Sequence, residues 1–283
     1  MSEIVVGVGA AHGAGLSAVR WAAERAAANG ASLRLVHVVD DAIEASGDAD
    51  LLLAILDAAR GSLATAADVV RTVDPGIEVI TELEQGSPVS VFEVRSRGAE
   101  SVVVASDWHG GRRPSVRGVN SLRIAAASHA PVVVVPDIDV SARSGVAVGV
   151  DGSDVGARAL EFAAREAERL GCPLIAVHAW DLALMAGGEY GYGVSAFATD
   201  DLARAAEEVL VVALAPLEST HPGLEIERRV VAGDPVGTLA DAAASAELLV
   251  VGSHGRGALA RFLLGSVSHG VLARLEAPTA VVR

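Results

Sequence analysis

The chain has 283 residues, enough for two domains of ordinary size or one large one. Its net charge of −14 and pI near 4.9 argue against a nucleic-acid partner, which needs clustered positive charge. All 22 lysine-plus-arginine positions are arginine, and three classes that need a fixed lysine fall away: Walker A nucleotidases, protein kinases and pyridoxal-phosphate enzymes.

Hydrophobic residues make up 51% and aromatics only 3%, so the cores must be built from Ala, Val and Leu. A strand-like run at 4–8 opens the chain without a preceding basic and apolar leader, and no apolar run reaches the ~20 residues of a membrane span. A cytoplasmic location is expected. The single cysteine, Cys172, excludes an internal disulfide and reads as a small buried hydrophobe.

In chain order, the strand at 4–8 is followed by a helical pattern through 18–28, which stops before Gly30. Apolar runs follow at 33–37, 101–104 and 131–135. Before the second of them, Ser87 and Pro88 form a helix start, with serine as cap and proline at the first helical position. A stretch of Asp, Ser and Gly at 136–145 reads as a linker. The series then begins again. Strands are expected at 145–150, 174–179, 225–231, 248–252 and 279–282. Helices are expected at 155–170, 199–219, 235–244 and 266–275. Asp234 caps the third of these ahead of Pro235, and Gly171 ends the first.

The two series align along their length, which is a whole-domain duplication rather than a short solenoid repeat. Strands that are apolar throughout, alternating with helices, predict parallel sheets covered on both faces. The expected domains are 1–140 and 141–283.

Ligands of such sheets bind beyond the carboxyl ends of the strands. In the second copy three loops converge there. Asp151-Gly152-Ser153 follows the first strand, and His178-Ala179-Trp180 follows the second. Gly252-Ser253-His254-Gly255, then Gly265-Ser266, follow the fourth, spelling G-x2-G-x9-G-S. Glycines let backbone N–H groups close on phosphate oxygens, and a helix that opens at Ser266 offers free amides and a positive dipole end. Ser266 and Ser268 can add hydroxyl donors. Asp151 suits a ribose, a base or a Mg ion rather than a phosphate.

This copy resembles the universal stress protein domain, and the whole chain resembles the tandem two-domain form of that family. Nucleotide-binding members show an Asp after the first strand and G-x2-G-x9-G-[S/T] after the fourth. The resemblance implies two tandem five-stranded parallel-sheet domains, Rossmann-like and similar to the adenine-nucleotide α-hydrolases. It implies ATP binding with little or no turnover, and pairing through last strands, as a homodimer or between the two domains; Mg enters only through Asp151. Carried onto this chain, the adenosine end falls on Val150, Asp151 and Ala179, and Gly152 and Val251 belong to the expected ATP site. The phosphates fall on Gly252, Gly255, Gly265, Ser266, Val267 and Ser268, and His254 and Arg256 complete the expected ATP site. A slow Mg-dependent ATPase and a scaffold that binds no nucleotide are the alternatives.

The first copy departs at the same places. Gly9 stands for Asp151, Ala105 and Trp108 for the first two glycines, and Val119 for Ser266; Gly118 remains. Weak or absent ATP binding is expected there, with Gly110, Gly111, Arg112 and Arg113 able to rescue an altered anion site.

Gly7-x-Gly9-x3-Gly13-x-Gly15 looks like a dinucleotide fingerprint, but the twin segment does not keep it. His37 and His178 share a strand-end position without metal-ligand spacing and read as packing groups. His254 reads as solvated or phosphate-facing rather than a general base. Arg256 and Arg261 face phosphate or water. The pairs Asp40-Asp41 and Asp200-Asp201 read as helix-start charges, and 186–193 reads as a mobile loop, with a lid as the alternative. Nothing in the sequence supplies a paired-carboxylate, nucleophile-elbow or metal-cluster chemistry.

Overall fold

The computed structural model describes residues 2–9, 13–41, 48–106, 119–180, 196–255 and 264–283. The chain divides into two compact units, Met1–Ile138 and Asp139–Arg283.

The first unit carries strands β1 (Glu3–Gly7), β2 (Ser32–Val39), β3 (Val79–Gln85), β4 (Ser101–Ser106) and β5 (Val132–Pro136). They form a parallel sheet in the order β3-β2-β1-β4-β5. Its helices are α1 (Ala14–Asn29), α2 (Ala49–Val73), α3 (Pro88–Arg95) and α4 (Val119–Ala127). The second unit repeats the pattern with β6 (Val146–Gly149), β7 (Leu174–Trp180), β8 (Ile226–Ala232), β9 (Leu248–Gly252) and β10 (Thr279–Val282). Its order is β8-β7-β6-β9-β10, again parallel. Helices α5 (Asp154–Leu170), α6 (Ala196–Thr220), α7 (Pro235–Ala243) and α8 (Ser266–Arg274) connect them.

The central strands are buried on both faces, as continuous apolar runs require: Val146, Ala147 and Val148 of β6 and Leu248 and Val250 of β9 are fully covered. Outer strands β3 and β8 mix apolar and charged residues and are half exposed, with Glu227, Arg228 and Arg229 in a row on β8. Charge along an outer strand discourages unwanted pairing with another chain. The helix ends follow local chemistry. Asp234 accepts from the Gly237 amide at 2.8 Å, and Gly30 and Gly171 close α1 and α5 at φ 63 and 64. Ser87 caps α3 through its backbone conformation without a side-chain hydrogen bond.

Three segments differ from the sequence reading. The stretch read as a linker is bonded onto the second unit: Arg143 Nη1 donates to the carbonyls of Ala243 and Glu276, and the Ser144 amide donates to Ser245. β7 runs on to Trp180, one residue beyond the expected 174–179, because pairing with β8 continues through His178↔Val230 and Trp180↔Ala232; His178 lies within the strand, as expected, and the loop begins only after Trp180. Cys172 is half-buried, and burial pushes its thiol pKa up, which makes it a poor thiolate.

His221, at the end of α6, reaches two carboxylates of α5. Nδ1 lies 2.9 Å from Glu168 and Nε2 lies 3.4 Å from Glu161, whose other oxygen is 3.9 Å from Arg165. The Glu168 hydrogen bond, helped by Glu161, raises the histidine's pKa above its ordinary value against a smaller desolvation effect. A raised folded-state pKa gives stability that is fully present below about pH 6.5 and fades as pH rises through the folded value. The glutamates are almost half exposed, so the contribution is at most about 1 kcal/mol. His221→Gln is expected to lower the melting temperature at pH 6 and to have no effect at pH 9. Equal losses at both pH values would rule out the charged clamp.

Candidate functional site

β6 has β7 on one side and β9 on the other, and the chain crosses over here after finishing β8. Strand order reverses at this point, which is where open parallel sheets bind ligands. A cleft of about 440 Å³ opens beyond the carboxyl ends of β6 and β9, a volume in the range of small-molecule sites. Val177 and Ala179 of β7 and Pro235 and Leu239 of α7 form apolar walls, while Gly265 to Ser268 at the start of α8 form the polar end.

Of the residues expected from the sequence, Val150, Asp151, Ala179, Val251, Gly252, His254, Gly255, Gly265, Ser266, Val267 and Ser268 line this one cleft. Gly152 does not. It turns away at φ 75 and borders an adjoining groove of about 370 Å³ between α5 and α6. Arg256 lies outside the described residues, as do Trp108, Gly110, Gly111, Arg112, Arg113, Gly118, Arg261 and 186–193. The Val119 side chain does too.

The Asp151 carboxylate is held by its own loop. Oδ1 accepts from the Ser153 amide at 3.0 Å and from the Ser153 hydroxyl at 2.7 Å, and that same hydroxyl accepts from the Gly156 amide at 3.0 Å. Ser153 therefore caps α5 and orients Asp151 together. His178 is buried one strand away, and its Nδ1–H donates to the Val150 carbonyl at 2.7 Å, which fixes the end of β6. The bond fits the packing role read for it. In the first unit, burial pushes the pKa of His37 down, opposed by the Val8 backbone.

The loop after β9 folds back on itself. The Gly265 amide donates to the Ser253 carbonyl at 2.7 Å. Ser268 Oγ donates to the carbonyls of Ser253 and Gly265, each at 3.0 Å. Ser268 is buried, so its hydroxyl holds the loop to the helix rather than pointing outward as a donor, unlike the sequence expectation. Ser266 is exposed. Gly265 occupies the cap of α8 with no side-chain hydrogen bond, which leaves the first amides of that helix facing the cleft. His254 Nδ1 shares a hydrogen bond of 2.9 Å with Ser253 Oγ, and its Nε2 is buried without a partner among the described residues.

None of Gly252, Gly255 and Gly265 has a positive φ. Glycine there keeps approaches from becoming tight rather than supplying an unusual backbone conformation. A Cβ at Gly252 would stand 3.2 Å from Val155, and one at Gly265 would stand 3.3 Å from the Ser253 carbonyl. In the first unit Gly9 replaces Asp151 in open space, and Phe92 replaces Leu239 and stands 3.0 Å from where a Cβ of Gly7 would be. Ala105 adds a methyl where the second unit has Gly252.

Sequence reasoning missed Val177, Pro235, Leu239 and Gly149 as lining residues, and Ser153 and Gly156 as supports of Asp151. Gly149 left a signal, since its twin Gly7 is also glycine at a strand end. Leu239 left none. Among the described residues no group of three or more His, Cys, Asp or Glu side chains converges as a metal site, and no helix is long and apolar enough to cross a membrane.

Such an arrangement defines a tandem α/β protein with a ligand cleft at the switch point of its second sheet. The universal stress protein family model matches residues 1–136 and again 144–283. A universal stress protein of Mycolicibacterium smegmatis is 32% identical over 94% of this chain and 92% of its own length. One of Mycobacterium tuberculosis is 35% identical over 74% of this chain and 70% of its own. In fold, the chain is similar to a universal stress protein from Archaeoglobus fulgidus, with a TM-score of 0.69 and 21% identity over 99% of this chain and 97% of that one. The chain belongs to the universal stress protein family, in its tandem two-domain form.

Proposed function

We propose that the second unit binds ATP and that the protein acts in the cytoplasm as a nucleotide-dependent regulator, with little or no turnover. The observation that carries this reading is the uncapped start of α8 at one end of the cleft, opposite the apolar walls Val177, Ala179 and Leu239. Backbone amides and a positive helix end favour phosphate oxygens, and the apolar walls favour a base. Asp151 is the one carboxylate among the described lining residues. It suits a ribose hydroxyl. It also fits Mg, which commonly takes one or two carboxylates together with substrate phosphates. Bound Mg would supply charge neutralisation of the triphosphate.

The first unit binds ATP weakly or not at all, because Gly9 and Phe92 remove the acceptor and narrow the wall. ATP occupancy then biases pairing with a second copy or with a protein partner. Isothermal titration with Mg-ATP is expected to give one site per chain. At a ligand concentration ~100 times Kd, ATP adds about 2.7 kcal/mol of stability, read as a rise in melting temperature. ADP, AMP and cyclic AMP, titrated in parallel, rank the phosphate contribution, and sedimentation with and without ATP reads self-association. Absence of both heat and thermal shift would end the ATP reading.

A further inference from the structure

Two glycines flank the Asp151 carboxylate. A Cβ at Gly156, in the first turn of α5, would stand 2.6 Å from Oδ1, and a Cβ at Gly255 would stand 2.8 Å from Oδ2. Carbon and oxygen do not approach so closely without something moving. Oδ1 is occupied by the Ser153 amide and hydroxyl, so the carboxylate has little freedom to swing aside. Gly255 has no positive φ, which removes backbone conformation as the reason for glycine. Gly255 is exposed, and among the described residues Asp151 alone comes within 4 Å of such a Cβ.

We infer that Gly255 is a positioning residue for Asp151: the second glycine of the G-x2-G spacing is demanded by the carboxylate, and only through it by the ligand. The first copy changes both partners together, with Gly9 in place of Asp151 and Trp108 in place of Gly255. Once the carboxylate is gone, the exclusion at the second position goes with it. The pair behaves as one unit. Oδ2 accepts no hydrogen bond among the described residues and so remains available to a donor on the ligand. Its role toward a ribose rests on the ATP reading above, whereas the steric seat does not.

The test is a set of thermal melts of the ligand-free protein. Gly255→Ala is placed in three backgrounds: Asp151, Asp151→Asn and Asp151→Ala. Asn keeps the volume of the carboxylate without its charge. Gly255→Ala should lower the melting temperature by about 5 °C with Asp or Asn at 151, as overpacking does, and by less than about 1 °C with Ala. A second readout separates positioning from mere stability. Affinity for ATP is compared with affinity for 2′,3′-dideoxy-ATP, which lacks both ribose hydroxyls. A hydrogen bond to a charged acceptor makes this ratio about tenfold or more. Gly255→Ala should reduce it to the ratio found for Asp151→Ala. Equal melting losses in all three backgrounds, or none in any, would overturn the seat even if ATP binds. Failure of every nucleotide to bind would leave the melting result to decide the seat by itself.

Discussion

Gly265→Asp is expected to weaken ATP binding by at least about 100-fold while leaving the ligand-free protein as stable as before. Gly265 is the cap of α8 and has no side-chain hydrogen bond to offer. Aspartate is a better cap than glycine by a few tenths of a kcal/mol, and its carboxylate would accept from the amides of Val267 or Ser268. The added Cβ would stand 3.3 Å from the Ser253 carbonyl and 3.5 Å from His254 Cα, contacts that a shift of a few tenths of an ångström relieves. Helix stability and steric cost therefore roughly cancel. Binding changes much more. The new carboxylate consumes the amides intended for phosphate and sets a negative charge against a triphosphate. Two like charges about 4 Å apart repel by about 4 kcal/mol at an effective dielectric near 20, and half of that already exceeds a tenfold loss. Gly265→Asn isolates the charge, because it caps equally well and is neutral; it should recover the part of the loss that repulsion causes. Titration calorimetry with Mg-ATP and melts without it give the two numbers. Full affinity in the Asp variant would mean that the phosphates do not meet α8 at all.

Much of the fold could be read from the sequence because its signals are local. The helix at 235–244 is observed as Pro235–Ala243, since Asp234 and Pro235 fix its start through one side-chain bond and one missing N–H. The strand at 248–252 is an uninterrupted apolar run ended by Gly252, and it is observed unchanged. The end of β7, one residue past the expected 179, depends on how far β8 extends alongside it, which is a property of two distant segments and not of either sequence. The candidate site divides in the same way. Gly252, Gly255, Gly265 and Ser266 were visible because a spacing in one loop carries them. Leu239 was not, because which face of α7 looks into the cleft is set by its packing against α8 and the sheet. The loop glycines were read for what they offer a ligand. The close approaches that a Cβ at these glycines would make to Val155, Asp151 and the Ser253 carbonyl depend on how separate segments fold together, which no single segment announces.

That packing of α7 on α8 carries the last prediction. Gly270 lies in the middle of α8, where glycine costs a helix roughly 0.5–1 kcal/mol relative to alanine. The chain accepts this because a Cβ there would stand 2.6 and 2.9 Å from the two Cγ atoms of Val236, the second residue of α7. Val236 is β-branched, and its χ1 is too stiff to turn away cheaply. Gly270→Leu must therefore push the two helices apart. The expected cost is about 3 kcal/mol, at the upper end for overpacking, or about a 10 °C fall in melting temperature for a unit of this size. Function should fall with it. Pro235 and Leu239 of α7 and Gly265 to Ser268 of α8 supply facing parts of the cleft, so widening the gap between these helices separates the apolar wall from the phosphate end. Gly270→Ala should cost less, and adding Val236→Ala, which removes both Cγ atoms, should restore the ligand-free melting temperature to within about 2 °C. If Gly270→Leu melts like the parent protein, α7 and α8 do not meet as closely as their glycine implies, and the cleft they frame is not held by that contact.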